Sequence, residues 1–328
     1  MAPYFMRSAD DLVPDGLRGL AAARAGTVRL NTDPRYLLAI DPDPGRRVGL
    51  VSGGGSGHEP MHGGLVGRGL LDAAVPGEIF ASPHNRQIYE ASRAAAKEAG
   101  VLHIVKNYTG DIINFGIARE RLAMDGIACA ELVVDDDLAT DDPEILLGRR
   151  GTGATVLVEK ILGAAADQGA GLEELRALGR AFLDRTRSVA VANRFHTGVR
   201  TGTVHAELGD GELEYGVGIH GERSGETIDT PRLTDLLARM TDELINAVRP
   251  APGAPLLLFV NGLGATTELE LFGVFGLVAG HVADLGHTVS RNLVGPYVTA
   301  LDMSGFSLTL SELDERTTAL WDASAGPA

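Results

Sequence analysis

Three short apolar segments in the first half of the chain each stop at a glycine-rich or polar turn. Arg46–Ser52 runs into a series of glycines, Val101–Lys106 ends at Asn-Tyr-Thr-Gly-Asp, and Ala128–Val134 ends at three aspartates. Helical patterns follow at Asn85–Ala99 and Ile112–Met124, rich in strong helix formers. Strands that alternate with helices are typical of a sheet covered by helices. We therefore predict an α/β fold.

The second half of the chain repeats this alternation in a different form. Its 328-residue length exceeds what one hydrophobic core usually supports. We predict two α/β domains, each a mixed sheet flanked by helices, formed by residues 1–187 and 188–328. The elements predicted from residue 153 onward are two helices within 153–184, a hairpin within Val204–Ile219, a helix after Pro231, strands at Leu256–Val260, His287–Leu293 and Ser307–Leu310, and a helix at Glu268–Leu285.

Composition excludes several classes of function. The net charge is −15, whereas a nucleic-acid surface needs clustered cations to displace counterions. Cys129 is the only cysteine, so neither an internal disulfide nor a cysteine-built zinc site is possible. No apolar run approaches the roughly 20 residues of a membrane span, and acidic residues interrupt the N-terminus where a signal peptide would be apolar. We expect a cytoplasmic protein without membrane or nucleic-acid contacts.

The glycine-rich turn reads Ser-Gly-Gly-Gly-Ser-Gly-His-Glu-Pro from Ser52 to Pro60. Glycines at the end of a strand allow the backbone to approach a ligand, and successive N–H groups can bind an anion or hydroxyl. The segment lacks the Gly-Lys-Ser/Thr of a phosphate-binding loop and the third glycine of a dinucleotide motif. It predicts either a ligand-binding loop or a purely structural turn.

The same turn contains His58-Glu59-Pro60-Met61-His62, which matches the His-Glu-x-x-His pattern of zinc proteases. That chemistry needs both histidines on one face of a helix. Pro60 removes a helical N–H and disfavours helical geometry at Glu59. We therefore predict that His58 lies in a loop and that this chain has no metal site.

Lys106 and Asp111 flank the Asn-Tyr-Thr-Gly turn that follows the second strand. The turn could serve only as a helix cap. Alternatively, both side chains line the carboxyl edge of the sheet near the glycine loop. Asp111 could then accept a proton from a substrate hydroxyl, and Lys106 could donate to a substrate oxygen.

His220 lies within Gly-Val-Gly-Ile-His-Gly-Glu, at Gly216–Glu222. A histidine on a strand is usually a hydrogen-bonded core residue. Here glycines leave space around the imidazole, and Glu222 could orient the ring so that one nitrogen is nucleophilic.

Taken together, these segments resemble the substrate-binding (K) subunit of dihydroxyacetone kinases. The resemblance spans nearly the whole chain, in the family's order and spacing. The similar segments are VSGGGSGHEPMHGGLVGRGLLDAAVPGEIFASP, VKNYTGDIINF, VVDDDLA, RRGTGATVLVEKILGAAA, GVGIHGE, VNGLGATTELELF and VGPYVTALDMSGFSLTL.

The resemblance implies a role for each candidate residue. His220 would form a covalent hemiaminal with the carbonyl carbon of a small hydroxyketone. The loop residues Gly55, Ser56, Gly57 and His58 would contact the substrate, with His58 assisting proton transfer. Lys106 and Asp111 would bind its hydroxyls, and either Asp111 or His58 would be the base.

The resemblance also implies partners. The phosphoryl donor would sit on a separate L subunit that carries ATP or ADP and magnesium, or that a phosphotransferase-system protein recharges, and this chain would be a homodimer that binds no cofactor itself. Only about 18 residues follow the last predicted strand, so we expect no L domain here. A ketone-sensing co-regulator without catalytic activity is an alternative.

Two departures from the family pattern affect the expected substrate. Arg223-Ser224 replaces the usual Pro-Gly after the histidine motif, and Ser188–Glu207 lacks the usual Cys-Thr-Val-Pro. A related hydroxyketone, such as a tetrulose, is therefore an alternative substrate.

Overall fold

The computed structural model describes residues 4–141, 148–223 and 226–325. Its backbone contacts divide the chain into two compact units. The N-terminal unit combines Met6–Val134 with Thr155–Ala181 and the chain from Thr317 onward. The C-terminal unit combines the described part of Asp135–Ala154 with Phe182–Arg316 and Tyr4–Phe5. The predicted boundary after residue 187 lies close to Phe182, where the C-terminal unit resumes. The described part of residues 135–154, however, belongs with the second half of the chain. That the two domains are separated at residue 187 stays a prediction.

The N-terminal unit contains a six-stranded mixed sheet, in the order β1-β2-β4-β3-β5-β6. Strands β3, β4, β5 and β6 run parallel, β2 pairs antiparallel with β4, and β1 pairs antiparallel with β2. Its elements are α1 (Leu12–Ala23), β1 (Val28–Thr32), β2 (Arg35–Ala39), β3 (Gly49–Ser56), β4 (Ala73–Ile79), α2 (Asn85–Ala95), β5 (Val101–Lys106), α3 (Thr109–Met124), β6 (Cys129–Val134), and most of α4 (Ala154–Asp167) and α5 (Leu172–Asp184).

The core of this unit lies between the sheet and the helices α2 and α3. β3 and β5 are buried along their whole length, as expected of parallel strands covered on both faces. Ile88 on α2 and Phe115 on α3 pack with strand residues such as Val51 and Val101. Because β3 and β5 pair in parallel, their carboxyl ends meet at one edge of the sheet.

The C-terminal unit contains a second six-stranded mixed sheet, in the order β11-β10-β12-β7-β8-β9. In the described part of this sheet β10 and β11 pair in parallel, and the other neighbouring strands pair antiparallel. Residues from α6 and α7 pack on the sheet in one continuous core, which includes Met240, Val278 and Leu308. The elements are β7 (Thr186–Arg194), β8 (Glu212–Tyr215), β9 (Glu226–Asp229), α6 (Leu233–Val248), β10 (Pro255–Gly262), α7 (Glu268–Asp284), β11 (Thr288–Gly295), β12 (Ser304–Glu312) and α8 (Glu315–Asp322), which ends in the N-terminal unit.

The prediction of two mixed sheets flanked by helices is confirmed, as is the break between α4 and α5. The predicted hairpin within Val204–Ile219 is wrong. Of that segment only Glu212–Tyr215 is a strand, and it pairs with β9, which follows His220 in the sequence. The predicted helix Asn85–Ala99 ends at Ala95, because the chain turns there and Ala99 N donates to Arg47 O, just ahead of β3.

No helix among the described residues is long and apolar enough to cross a membrane.

Candidate functional site

The glycine loop begins inside β3 and continues into a turn. Ser56 is buried, and its hydroxyl donates to Gly77 O at 2.7 Å, which joins the loop to β4. Gly55 packs against the backbone of Phe80 and Ala81. The backbone N–H of Gly57 donates to the Glu59 carboxylate at 2.9 Å. Much of this loop is therefore held by hydrogen bonds and close packing.

His58 follows directly and is almost fully buried. Its ring stacks on Phe80, with 5.0 Å between ring centroids and 27° between planes. Residue 58 lies in a bend and residues 59–62 form turns, and the nearest helical residues are the short 3₁₀ turn Gly63–Leu65. The prediction that Pro60 prevents a zinc-protease helix is confirmed.

Lys106 ends β5, and Asp111 lies in the first turn of α3, whose backbone N–H groups favour a carboxylate. Both side chains are buried, at 1% and 3% exposure. Lys106 Nζ donates to Gly53 O at 2.8 Å and lies 3.6 Å from Asp111 Oδ2. The structure thus brings Lys106, Asp111 and the glycine loop together, as the pairing of two parallel strand ends predicts.

Two further residues belong to this group, and the sequence patterns did not single them out. His62 Nε2 lies 2.8 Å from Lys106 Nζ, and His62 Nδ1 lies 2.6 Å from Glu159 Oε1. Glu159, on α4, has no exposed surface. Burial and the charge of Lys106 lower the pKa of His62, so the ring is neutral. The four side chains form a buried chain from Glu159 through His62 and Lys106 to Asp111.

A weak signal for this group exists in the sequence. Glu159 is the only acidic residue in the run Ala-Thr-Val-Leu-Val-Glu-Lys-Ile-Leu, which begins α4. A single carboxylate in an apolar helix indicates a buried partner. His62, however, is marked in the sequence only by the zinc-protease pattern, which gives no hint of a lysine partner.

His220 belongs to the C-terminal unit and lies in a turn after β8, not on a strand. The turn is closed by hydrogen bonds from Gly218 N to Glu222 O and from Gly221 N to Gly218 O. Gly216 and Gly221 adopt φ angles of +78° and +80°, which side chains other than glycine rarely allow. The local glycine pattern therefore dictates the turn that carries the histidine.

Glu222 holds His220 at two points. Its Oε1 lies 2.7 Å from His220 Nδ1, and its Oε2 accepts from His220 N at 2.9 Å. Burial would raise the pKa of Glu222, but the hydrogen bond and charge of His220, with Arg150 nearby, outweigh it and lower the pKa to about 2. The ionised carboxylate keeps a proton on Nδ1, so the lone pair is on Nε2. The His220 side chain is 21% exposed and can meet a solute.

Arg150 supports this turn from below. It pairs with Asp137 at 2.7 Å and donates to Gly216 O at 2.8 Å. A Cβ at Gly218 would overlap Glu222 and come within 2.5 Å of Arg150 Nη1. Of the three aspartates after β6, Asp136 is fully buried and accepts from Thr152 N and Ala154 N, at the start of α4.

The departures from the family pattern lie beside His220. The ring of His196, from the divergent segment, contacts Gly221, where a Cβ would sit 3.1 Å from its Nδ1. His196 stacks on His205 at 4.8 Å, and burial lowers the pKa of His196 to about 4. Arg223 covers Phe195. Ser224 lies outside the described residues.

Among the described residues, no group of three or more His, Cys, Asp or Glu side chains is arranged to hold a metal ion.

The Dak1 domain model matches residues 18–327. The dihydroxyacetone-binding subunit DhaK of a PTS-dependent dihydroxyacetone kinase from Listeria innocua is 43% identical over 94% of each chain. The corresponding subunit of the PEP-dependent kinase of Escherichia coli is 40% identical, over 95% of this chain and 94% of its own. L-erythrulose 1-kinase of Mycolicibacterium smegmatis is 36% identical, over 98% of this chain and 56% of its own.

Solved structures agree. The dihydroxyacetone kinase of C. freundii superposes with a TM-score of 0.87 at 34% identity, over 98% of this chain and 58% of its own. The dihydroxyacetone kinase operon co-activator DhaQ superposes with a TM-score of 0.88 at 29% identity, over 93% and 94%. The family model and the close relatives each cover more than nine-tenths of the sequence, and this chain therefore belongs to the Dak1 family of dihydroxyacetone-binding kinase subunits.

Proposed function

We propose that this chain is the ketone-binding subunit of a dihydroxyacetone-type kinase, and that His220 holds the substrate as a hemiaminal. The observation that carries the proposal is that Glu222 accepts hydrogen bonds from both the ring and the backbone of His220. The relatives of this chain are dihydroxyacetone-binding subunits, which supports the same assignment. A triose offers little surface for non-covalent binding, so a reversible covalent bond adds both affinity and orientation.

Hemiaminal formation begins with the Nε2 lone pair of His220. That pair attacks the carbonyl carbon, and the C=O π pair moves to oxygen, which takes up a proton. The ring becomes positively charged while Nδ1 keeps its proton, and Glu222 compensates that charge. Loss of the Nδ1 proton to Glu222 or solvent gives the neutral hemiaminal. Ketones and aldehydes would be selected over simple alcohols, because alcohols have no electrophilic carbon.

The substrate hydroxyls would be bound by a second group of residues. Lys106 would donate to a substrate oxygen, and the loop Gly55–His58 would contact the substrate. The terminal hydroxyl must lose a proton as it attacks phosphorus, and either Asp111 or His58 would accept it. Asp111 Oδ1 is buried with no hydrogen-bond partner among the described residues, which suits an acceptor that awaits a hydroxyl.

The phosphoryl donor would come from a partner. The names of the Listeria and E. coli relatives specify PTS- or PEP-dependent kinases. We infer a separate L-type subunit that carries ATP or ADP with magnesium and is used directly or recharged by a phosphotransferase-system protein. In this role the chain is a cytoplasmic homodimer and a phosphotransferase subunit that is active only with its partner.

Dihydroxyacetone is the proposed substrate, with L-erythrulose as the second candidate. Two observations support L-erythrulose as a candidate. The chain is similar to an erythrulose kinase. In addition His196, which contacts Gly221 beside His220, belongs to the segment that departs from the family pattern.

The test uses dihydroxyacetone or erythrulose labelled with ¹³C at the carbonyl carbon. Binding to His220 converts that carbon from sp² to sp³, so its NMR signal leaves the carbonyl region. We expect the shift with the wild-type protein and not with His220→Ala. His281 is the matched control, because it is a partly exposed histidine paired to a carboxylate, Asp242, at 2.9 Å. Persistence of the shifted signal in His220→Ala, or its loss in His281→Ala, would contradict the assignment.

A ketone-sensing co-regulator is the second candidate, favoured by the similarity to the co-activator DhaQ. Such a protein would form the same adduct. Affinity purification in the presence of the ketone separates the two functions, since a kinase subunit recovers a nucleotide-binding partner and a co-regulator recovers a DNA-binding one.

A further inference from the structure

The Lys106 ammonium has three N–H donors, and two acceptors lie within hydrogen-bond distance of it. It donates to Gly53 O and to His62 Nε2, both at 2.8 Å, while Asp111 Oδ2 stays at 3.6 Å, beyond a hydrogen bond. A buried ammonium beside a buried carboxylate would normally close to hydrogen-bond distance. The hydrogen bonds to Gly53 O and His62 Nε2 account for the longer distance to Asp111.

His62 can accept from Lys106 only if Nε2 carries no proton. Its Nδ1 must then carry the proton and donate it, and Glu159 Oε1 receives it at 2.6 Å. Glu159 therefore fixes the tautomer that Lys106 requires. The other oxygen of Glu159 is buried and has no hydrogen-bond partner among the described residues. Within the described part of the chain, the Glu159 carboxylate therefore interacts through its bond with His62.

The charges are consistent with this arrangement. Removing the Lys106 charge from water is costly unless it is compensated. Asp111 provides one negative charge at 3.6 Å, and Glu159 provides a second beyond the neutral imidazole. Without Glu159, Asp111 alone would have to compensate Lys106.

We propose that Glu159 and His62 are positioning residues that hold the Lys106 ammonium away from Asp111, so that Asp111 stays available to the substrate hydroxyl. This inference rests on the proposed function for its consequence, but its geometry can be tested without substrate. Neither residue touches the reacting atoms. Both act through Lys106.

The two amide replacements of His62 form a matched pair. Glutamine places an amide near the position of Nε2 and can still accept from Lys106. Asparagine places its amide near Nδ1, so it can still donate to Glu159 but cannot reach Lys106. A structural role in packing alone would not separate these two variants in favour of His62→Gln.

The first readout needs no ligand. The chain has only three lysines, Lys97, Lys106 and Lys160, so ¹⁵N-lysine labelling gives a spectrum that variants can assign. A buried, hydrogen-bonded ammonium exchanges its protons slowly and gives an N–H signal. We expect the Lys106 signal in wild type and His62→Gln, and its loss or displacement in His62→Asn. Identical signals in all three proteins would overturn the inference.

The second readout is dihydroxyacetone affinity. We expect His62→Asn to lose about tenfold and His62→Gln to stay within about threefold, as for loss or retention of one charge-assisted hydrogen bond. If His62 acts through Asp111, His62→Asn should cause no further loss in an Asp111→Asn background. An equal loss in both backgrounds would overturn the inference.

Two controls complete the design. If His62→Asn does not fold, Glu159→Gln replaces it, since it keeps an oxygen for His62 and removes the charge, and unchanged affinity and an unchanged Lys106 signal would count against the proposal. If wild type forms no adduct with dihydroxyacetone, the proposed function fails, whereas the ligand-free ammonium signal still decides the role of Glu159 and His62.

Discussion

Lys106 in the N-terminal unit and His220 in the C-terminal unit are both nitrogen groups positioned by hydrogen bonds, but the partners that hold them differ in origin. Lys106 is 1% exposed, and its acceptors Gly53 and His62 are 53 and 44 residues away in sequence. His220 is 21% exposed, and its carboxylate is two residues away. The first arrangement requires the completed fold, whereas the second requires only a glycine turn. Loss of the first should therefore affect stability most, and loss of the second should affect chemistry most.

The largest expected effect tests the buried arrangement. Lys106→Met leaves Asp111 and Glu159 as buried carboxylates without their cation, which should cost about 3–5 kcal/mol of unfolding free energy. His220→Gln, in a partly exposed turn, should cost less than about 0.5 kcal/mol. Trp321, the only tryptophan, lies in the N-terminal unit and reports its denaturant unfolding by fluorescence. Equal destabilisation by the two substitutions would show that the Lys106 arrangement matters no more for stability than the His220 turn.

The same contrast explains what the sequence could predict. The turn around His220 and its link to Glu222 were predictable, because glycines and a carboxylate two residues away act locally. The approach of Lys106 and Asp111 to the glycine loop was also predictable, since the carboxyl ends of the parallel strands β3 and β5 meet at one edge. Glu159 was missed because its contact with His62 spans 97 residues and depends on where α4 packs.

Secondary structure follows the same rule. Strands buried on both faces, such as β3 and β5, were identified from their apolar runs. The short strand β9 has the exposed, polar sequence of a sheet edge and was not predicted, so β8 was assigned a partner within Val204–Ile219 in its place. Pairing partners of short edge strands are set by the packed sheet and not by the local pattern.

The next effect comes from a glycine that the buried arrangement requires. A Cβ at Gly54 would overlap Lys106 Nζ, so Gly54→Ala must displace the ammonium. We expect a loss of about 1–3 kcal/mol in unfolding free energy, as for other overpacked cores. Gly116, on α3, has open space around its Cβ position and is the matched control, where alanine should be neutral or stabilise by up to about 1 kcal/mol. A tolerated Gly54→Ala would show that Lys106 is free to move.

A smaller effect should appear in the exposed arrangement, and there it should be chemical. Glu222→Gln cannot accept with full charge from both the ring and the backbone of His220, so we expect about tenfold less ketone adduct, a cost typical of one charge-assisted hydrogen bond. The melting temperature should fall less than in Lys106→Met, because glutamine still offers an oxygen to His220. The pKa of Glu222 is about 2 against an ordinary 4.5, so its contribution to stability is complete above pH 4.5 and is lost as the pH falls towards 2.

The control for that substitution is Glu226→Gln on the edge strand β9, which removes an exposed carboxylate near the same turn. It should leave adduct formation unchanged. If both variants lose adduct equally, the effect is a general electrostatic one and the specific role of Glu222 is wrong.

The smallest effect concerns a buried histidine of the N-terminal unit that we assign no chemistry. His103 is fully buried beside Ser92, 2.8 Å from its hydroxyl, and burial lowers the pKa of His103 to about 3. The unfolded chain therefore binds a proton that the folded chain cannot, and stability falls as the pH drops below about 6.5. This linkage should remove about 1 kcal/mol between pH 7.5 and pH 6. His103→Gln keeps a partner for Ser92 and cannot titrate, so its stability should fall less over that interval. Equal slopes for wild type and variant would mean that other buried groups, such as His62, account for the acid sensitivity of this unit.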